Sequence, residues 1–162
     1  MNAEKLIREL NLLPHPEGGY YRETYRSAET IQVNQDANRN VCTAIYFLLT
    51  GNDKSNFHRI QSDELWFFHQ GEPLEVVYIQ NGKINVILLG NDFAKGEVAQ
   101  CVIPSNTWFA SKIRDSKGYS LVSCTVSPGF DFNDFELGER KNLVNEFPHI
   151  RERIIEFTRE EL

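Results

Sequence analysis

Between residues 41 and 127 the sequence consists of short β-type segments that are separated by turn residues about every eight to twelve positions. The clearest pair is Leu74–Gln80 and Lys83–Leu89, which flanks Asn81-Gly82. Asn-Gly between two such segments is the strongest local indication of a β-hairpin. Many short strands with regular turns predict an all-β sandwich or barrel.

The two ends of the chain have other patterns. Apolar side chains recur at helical spacing near the N-terminus and again in the last thirty or so residues. We expect a single domain over residues 1–162, with a barrel at about 20–130 and a helical tail at about 134–162. The elements expected outside the main run of strands are a helix at 3–10, a strand at 20–27, a flexible connection at 29–39, and helices at 136–145 and 148–161.

The composition argues against several kinds of partner. The chain carries 17 lysine and arginine residues against 23 aspartate and glutamate residues, a net charge of −6. We therefore expect no nucleic acid and no membrane as partner, and no apolar stretch approaches the roughly 20 residues that cross a bilayer. The first thirteen residues lack the apolar segment of a signal peptide. With Cys42, Cys101 and Cys124 in apolar segments, a cytoplasmic protein with reduced cysteines is expected.

The stretch SNFHRIQSDELWFFHQG, residues 55–71, combines two histidines, an acidic pair and a run of aromatic side chains. It predicts two short strands joined by a polar turn. Strand alternation places Glu64 and Trp66 on one face and His69 on the other. Titratable groups among large apolar side chains are typical of a ligand pocket. A core with a few hydrogen-bonded polar groups gives the same pattern.

Several motifs resemble those of the cupins. The first cupin motif is a glycine, a His-x-His pair, a glutamate and a glycine, and it is matched in order and spacing by Gly51, His58, Glu64 and Gly71. The second motif is resembled by Gly96, Pro104 and Asn106. Three longer stretches, HPEGGYYRETYRS, SDELWFFHQGEPLEV and VSPGFDFNDFEL, are similar to one cupin family whose members are commonly labelled predicted sugar epimerases.

The resemblance covers about residues 5–140. It implies a cupin double-stranded β-helix, or jelly roll, with a short N-terminal helix and C-terminal helices. It also implies a small-molecule ligand in a pocket inside the barrel, and a homodimer.

The chain departs from the metal-binding cupin pattern at two positions. Ile60 stands where the second histidine of His-x-His is found, and Phe109 stands where the last metal-binding histidine is found. Only His58 and Glu64 remain of four ligands, whereas a firmly held transition metal needs at least three. We therefore expect no metal and no other cofactor.

Metal-free cupins that this chain resembles include the dTDP-4-dehydrorhamnose 3,5-epimerases. Epimerisation next to a carbonyl needs a base that removes a carbon-bound proton and an acid that returns one from the opposite face. The resemblance assigns His58 as the base, with Glu64, or alternatively Asp63, as the carboxylate that orients it. The candidates for the proton donor are Tyr25, taken here as catalytic, and Tyr46 and Tyr78, placed among the substrate-binding residues.

Further side chains complete the expected pocket. The cation that stabilises a developing enolate is expected from Arg22, Arg26 or Lys112. The remaining expected substrate-binding residues are Glu23, Trp66, His69, Trp108, Phe109 and Asp131. Each has a structural alternative, because aromatic residues belong to the core by default and Arg22 with Glu23 also suits a dimer contact. His15 is expected in a loop that borders the pocket, and His149 on the surface.

Three functions therefore remain open from the sequence. The first is a metal-independent isomerase or epimerase that acts on a keto-sugar or sugar nucleotide. The second is a binding module that holds a small apolar or aromatic ligand without converting it, which Ile60 and Phe109 favour. The third is a metalloenzyme with unusual ligands. Fold alone does not choose among them.

Overall fold

The structure is a computed structural model that describes residues 2–35 and 37–160. Within these residues the chain forms thirteen strands and three α-helices. The strands are β1 (Leu13–Pro14), β2 (Tyr20–Arg26), β3 (Thr30–Asn34), β4 (Ala37–Asn40), β5 (Thr43–Thr50), β6 (Lys54–Arg59), β7 (Asp63–Gly71), β8 (Leu74–Gln80), β9 (Lys83–Leu89), β10 (Gln100–Ile103), β11 (Phe109–Ile113), β12 (Tyr119–Ser127) and β13 (Glu136–Leu137). The helices are α1 (Ala3–Glu9), α2 (Arg140–Glu146) and α3 (Arg151–Glu156).

Most strands belong to two antiparallel sheets. One has six strands in the order β1-β2-β5-β12-β7-β10, and the other has five in the order β13-β6-β11-β8-β9. Strands that are neighbours in a sheet are often distant in the chain, as β5 and β12 are, which is typical of a jelly roll. The predicted all-β jelly roll with helices at both ends is confirmed.

The main core lies between the two sheets. It joins Phe47 and Trp66 of the six-stranded sheet to Val76 and Phe109 of the five-stranded sheet. A second cluster, which includes Phe57 and the residues of α2 and α3, covers the outer side of the five-stranded sheet. Helix α1 covers part of the outer side of the other sheet. The inner space between the sheets is therefore the part of the fold that is able to hold a ligand.

Local turn chemistry agrees with the sequence at the β8–β9 hairpin. Asn81 and Gly82 have φ angles of 52° and 71°, the left-handed values that a type I′ turn requires at both central positions. The two strands then pair without a register shift from Leu74↔Leu89 to Gln80↔Lys83. The hairpin prediction is confirmed.

Three element predictions were wrong in type or in extent. The segment 29–39 was expected to be a flexible connection, but β3 and β4 pair there as an exposed hairpin whose β-branched residues suit strands. Helix α2 begins at Arg140 and not at residue 136, because Glu136–Leu137 pairs with β6 instead. Helix α3 is shorter than 148–161, since a 3-10 turn occupies Pro148–Ile150, and residue 161 lies outside the described residues.

Over residues 2–35 and 37–160, no helix has the length and apolar character needed to cross a membrane.

Candidate functional site

A cavity of about 590 Å³ is lined by strands of both sheets and by two loops, at residues 13–17 and 130–135. This volume lies within the usual range for small-molecule sites. Phe47 and Trp66 belong both to the core and to the cavity wall. The polar groups in the wall are therefore set into an apolar surround. The apolar wall residues include Tyr21, Ile45, Val126, Phe130, Phe132 and Phe135.

His58 is the buried polar residue of β6 that faces this cavity, with 3% of its surface exposed. Its Nδ1 lies 2.7 Å from the carbonyl oxygen of Asn56, which is able only to accept, so Nδ1 carries a hydrogen. Its Nε2 lies 2.9 Å from Oε2 of Glu17. The other oxygen of Glu17 accepts a hydrogen bond of 2.8 Å from the hydroxyl of Ser55. Both ring nitrogens of His58 are thus engaged.

His58 and Glu17 form a buried ion pair. Burial by itself lowers the pKa of His58, but the charge and hydrogen bond of Glu17 outweigh it, so the pKa of His58 is raised. Burial likewise works to raise the pKa of Glu17, and the charge and hydrogen bond of His58 lower it overall. The pair therefore favours an imidazolium and a carboxylate over the two neutral groups.

The loop that contains Glu17 is pinned to β6 by backbone contacts. The carbonyl of Glu17 accepts hydrogen bonds from the backbone N–H of Asn56, at 2.9 Å, and from its side-chain amide, at 2.8 Å. Gly18 has a φ of 117°, and a Cβ there would lie 2.0 Å from the carbonyl oxygen of Lys54. Only glycine permits this approach. The HPEGG segment therefore delivers a carboxylate to His58.

Glu64 of β7 is a second buried carboxyl group in the same cavity, with 7% of its surface exposed. Burial raises the pKa of Glu64 to about 7, while the charge of His58 lowers it in part and the charge of Glu17 raises it. The thiol of Cys124 is close enough to lower the pKa of Glu64 in part. Glu64 therefore changes its protonation state near neutral pH, whereas Glu17 stays ionised.

Trp66 follows Glu64 on the same face of β7, and its side chain is 1% exposed. The indole N–H is close enough to lower the pKa of Glu64 slightly, yet it completes no hydrogen bond of standard geometry within the described part of the chain. A buried donor without an acceptor is costly.

His15 borders the cavity beside Glu17, as the sequence suggested for its loop. Its Nδ1 accepts a hydrogen bond of 3.2 Å from the backbone N–H of Glu17. Burial lowers the pKa of His15, so the ring is neutral at pH 7. It packs edge-on against Tyr21, with ring centroids 4.6 Å apart. His15 therefore serves as a wall of the site and adds no charge.

A loop at residues 130–135 covers the cavity with Phe130, Phe132 and Phe135. Arg39 binds both carboxylate oxygens of Asp134, at 2.6 and 2.8 Å, and so ties this loop to β4. The cover is therefore aromatic and is held by contacts from the β3–β4 hairpin that the sequence did not predict.

The structure brings several of the predicted site residues together. His58, Glu64 and Trp66 line the cavity, and so do Arg22, Glu23, Arg26 and Asp131 nearer to β2 and the covering loop. Phe109 lies against the ring of His58, with centroids 4.1 Å apart, and is fully buried in the core. The carboxylate that orients His58 is Glu17, which the sequence did not single out. Asp63, the alternative to Glu64, is exposed and accepts from the N–H of Ser105.

Two predicted residues lie outside the cavity, Tyr25 because of a β-bulge and His69 because strand alternation already places it opposite Glu64. The register of β2 against β5 shifts between Glu23 and Tyr25, so Tyr25 leaves the cavity face and is 55% exposed. A shift between β7 and β12 falls next to His69, which is exposed and hydrogen-bonds to the hydroxyl of Ser123. Neither position is able to act at the cavity as the sequence suggested.

The other predicted side chains outside the cavity face other parts of the fold. Tyr46 alternates with the cavity residues Ile45 and Phe47, so it packs on the outer cluster of α1. Tyr78 packs against the main core, and Trp108 belongs to the cluster under α2 and α3. The last expected cation, Lys112, instead pairs with Glu156 of α3 at 2.6 Å.

The cavity residues do not fit the metal site of metal-binding cupins. Ile60 and Phe109 supply no ligand atom, and both nitrogens of His58 are already hydrogen-bonded. In the regions that the structure covers, no three His, Cys, Asp or Glu side chains are grouped so as to hold a metal ion.

A jelly roll with a polar, titratable cavity between its sheets is the architecture of a cupin. The chain belongs to this superfamily: residues 4–138 match the family described as Cupin superfamily (DUF985).

Similar proteins are found in distant organisms. An uncharacterised protein of Saccharomyces cerevisiae is 32% identical over 147 residues, which span 82% of this chain and 73% of the yeast protein. A solved structure of a hypothetical protein from Leishmania major has a TM-score of 0.91 at 38% identity and covers 99% of this chain and 100% of its own. A protein of Shewanella oneidensis gives the same TM-score and identity, with 99% of each chain covered. None of the three is named for an activity.

Oxalate decarboxylase from Bacillus subtilis has a similar fold, with a TM-score of 0.56 at 14% identity over 91% of this chain and 37% of the enzyme. At that identity the likeness concerns the fold alone.

Proposed function

We propose that this protein is a metal-independent isomerase that moves a proton on a carbon next to a carbonyl group. The observation that carries the proposal is the pair of titratable centres in one cavity. Glu64, whose pKa is raised to about 7, faces the same space as the imidazolium of His58. A base is most effective when its pKa is near the working pH.

The hydrogen bonds favour Glu64 as the base and His58 as the cationic partner. Both nitrogens of His58 carry or share a hydrogen, so the ring offers no free lone pair to a substrate. The carboxylate of Glu64 removes the α-proton, and the electron pair of the broken C–H bond moves to the carbonyl oxygen. The imidazolium stabilises the resulting enolate. This assignment reverses the base role that the sequence gave to His58.

The proton then returns to carbon by one of two routes. Glu64 gives its proton back on the same face. At the same carbon this restores the substrate and is seen only as exchange with solvent, whereas at the γ-carbon of a conjugated enolate it moves a double bond, which is an isomerisation. Alternatively, the His58–Glu17 pair supplies a proton from the other face, which is an epimerisation, after which solvent reprotonates the pair and takes the proton from Glu64. The first route uses Glu64 as base and acid in turn, and the second uses both centres.

A deuterium-exchange experiment tests the proposal. The protein is incubated in D2O with keto-sugars, sugar nucleotides and simple enolisable ketones, and deuterium at carbon is measured by NMR. We expect exchange on at least one compound, at a rate that rises with pH through about 7 as Glu64 loses its proton. Glu64→Gln is expected to slow it about 100-fold or more.

His149→Ala is the matched control. His149 is exposed, its ring hydrogen-bonds to the carbonyl of Gly82, and neither residue lines the cavity. Exchange at an unchanged rate in Glu64→Gln would show that the proposed base is wrong.

A second candidate function is a binding module without turnover. The apolar walls and the contact of Phe109 with His58 favour it, because they make the former metal position hydrophobic. No exchange across the whole panel, together with a ligand identified by mass spectrometry of the purified protein, would establish this function in place of the first.

A further inference from the structure

Among the described residues, two of the three cations that line the cavity, Arg26 and His58, are paired with neighbouring carboxylates. Arg26 binds both oxygens of Glu23, at 2.9 and 2.7 Å. The imidazolium of His58 is bound by Glu17. A phosphate group that bound to His58 would have to displace Glu17 and leave that carboxylate buried without a partner, which is strongly disfavoured.

Arg22 is the remaining arginine at the cavity wall, and its head group points to the other face of the sheet. In the pairing of β2 with β5, Arg22 is opposite Tyr46, whereas Tyr21 and Glu23 are opposite the cavity residues Phe47 and Ile45. The guanidinium carbon of Arg22 lies 6.0 Å from the centre of the Tyr46 ring. Alternation along the strand thus directs this charge away from a bound ligand.

The carboxyl groups at the wall act against an anion as well. Of the four carboxyl groups that line the cavity in the part of the chain that the structure describes, Glu17 and Glu23 are offset by His58 and Arg26, and Glu64 and Asp131 remain. A ligand that carries two negative charges, as a sugar nucleotide does, would meet their repulsion at short range in a surround of low dielectric constant. The electrostatics therefore favour a ligand without charge.

Trp66 supplies the complementary observation. Its buried indole N–H has no hydrogen-bond acceptor of standard geometry among residues 2–35 and 37–160, and its ring forms part of the cavity wall. A carbonyl oxygen is a neutral acceptor for this donor. Glu64 lies two residues earlier on the same strand face, so a carbonyl bound at Trp66 would present its neighbouring carbon to that carboxyl group.

We infer that the substrate is an uncharged carbonyl compound with an apolar body, whose oxygen accepts a hydrogen bond from the indole of Trp66. The inference rests on the proposed function for the presence of a carbonyl, and it goes further by excluding sugar nucleotides. The aromatic cover of Phe130, Phe132 and Phe135 suits the apolar body of such a compound.

Three probes compare the ligand classes directly. 2-Tetralone is an uncharged, enolisable bicyclic ketone, phenylpyruvate is an aromatic keto acid with one charge, and dTDP-4-keto-6-deoxyglucose is a sugar nucleotide. Binding of each to the wild-type protein is measured by titration calorimetry, and deuterium incorporation is followed in parallel. We expect 2-tetralone to bind at least roughly tenfold more tightly than either anion, in keeping with the energy of one unpaired charge.

Two tryptophan variants test the role of the indole N–H. Trp66→Phe removes the donor and keeps a ring, and we expect it to weaken 2-tetralone binding by about tenfold. Trp108→Phe is the matched control, because Trp108 is also buried with an unpartnered N–H but lies in the cluster under α2 and α3. It is expected to leave binding unchanged. The comparison of the three probes uses wild-type protein only, so it tests the inference even if a tryptophan variant fails to fold.

The outcomes separate this inference from the proposed function. Tighter binding of either anion than of 2-tetralone, or unchanged binding in Trp66→Phe, would overturn the inference. If the sugar nucleotide exchanges deuterium and 2-tetralone does not bind, the inference on the ligand class is wrong, but the proposed isomerase activity is supported. Binding of 2-tetralone with no exchange on any probe would support the ligand class and refute the isomerase.

Discussion

Two groups of charged side chains in this protein are built in opposite ways. Between α3 and the five-stranded sheet, Lys112 and Arg153 meet Glu75 and Glu156, with Lys112 2.6 Å and Arg153 2.5 Å from Glu156. These four side chains are partly exposed, at 18–31%. Two cations match two anions, and the group ties the C-terminal helix to β8 and β11.

The cavity contains one charged imidazole for two buried carboxyl groups. Glu17 takes the ion pair with His58, and Glu64 is left without a cation of its own. The charges of the outer group are balanced, and its ion pairs serve stability. Burial brings the pKa of Glu64 to about 7, and the charge of Glu17 adds to this rise while that of His58 offsets part of it.

The largest expected difference is in the cost of removing one carboxylate from each group. Glu17→Ala leaves the imidazolium of His58 buried without a partner, and we expect it to lower the free energy of unfolding by about 3–5 kcal/mol. Glu156→Ala is the matched variant at the partly exposed group, with an expected loss of about 1 kcal/mol. Urea denaturation at pH 7 measures both. Equal losses would mean that burial does not distinguish the two groups.

The next effect concerns the pH dependence of stability. Because the pKa of Glu64 is raised from 4.5 to about 7 on folding, the folded state keeps a proton that the unfolded state releases between these values. Stability therefore falls as pH rises through this window, by up to about 3 kcal/mol. Glu64→Gln removes the titrating group, so it should be more stable than wild type at pH 8 and equal to it at pH 4.

Glu156→Gln provides the comparison of opposite sign. Burial tends to raise the pKa of Glu156, but the hydrogen bond of Lys112 and the charges of Arg153 and Lys112 lower it overall. Its contribution to stability is present above pH 4.5 and is lost as pH falls below it. Glu156→Gln should thus be less stable than wild type at pH 8. If both Glu64→Gln and Glu156→Gln were more stable than wild type at pH 8, the opposite directions given for the two pKa shifts would be contradicted.

The smallest effect is the response to salt. A double-mutant cycle on Lys112 and Glu156 should give a coupling of about 0.5 kcal/mol at low salt, and this should largely vanish in 1 M NaCl, where the screening length is about 3 Å. The coupling of His58 with Glu17 should be unchanged, because both groups are buried. Salt sensitivity of the buried pair would indicate that water reaches it.

The sequence predicted those parts of the site that a motif or strand alternation defines. His58 and Glu64 were found by their spacing, and Trp66 was placed on the face of Glu64 by alternation. His69 lies outside the cavity, on the face that alternation gave it. Tyr25 was expected as the proton donor, and a bulge in β2 moved it away from the cavity. A bulge depends on how two strands pair, and the residues on one strand do not show it.

Glu17 was missed for a different reason. It lies in a proline- and glycine-rich loop without periodicity, and Ser55, which hydrogen-bonds to it, is 38 residues away in the chain. The one available indication was that HPEGG belongs to a stretch shared with a cupin family.

The sequence by itself determined most of the strands, the β8–β9 hairpin, the cupin family and the residue types at the centre of the cavity, because periodicity and motif spacing are properties of neighbouring residues. Only the tertiary structure decided that Glu17 takes the ion pair with His58 and that Glu64 keeps a titratable proton. Burial and the distances between charges set those two pKa values, and both depend on segments that meet only when the sheets close around the cavity.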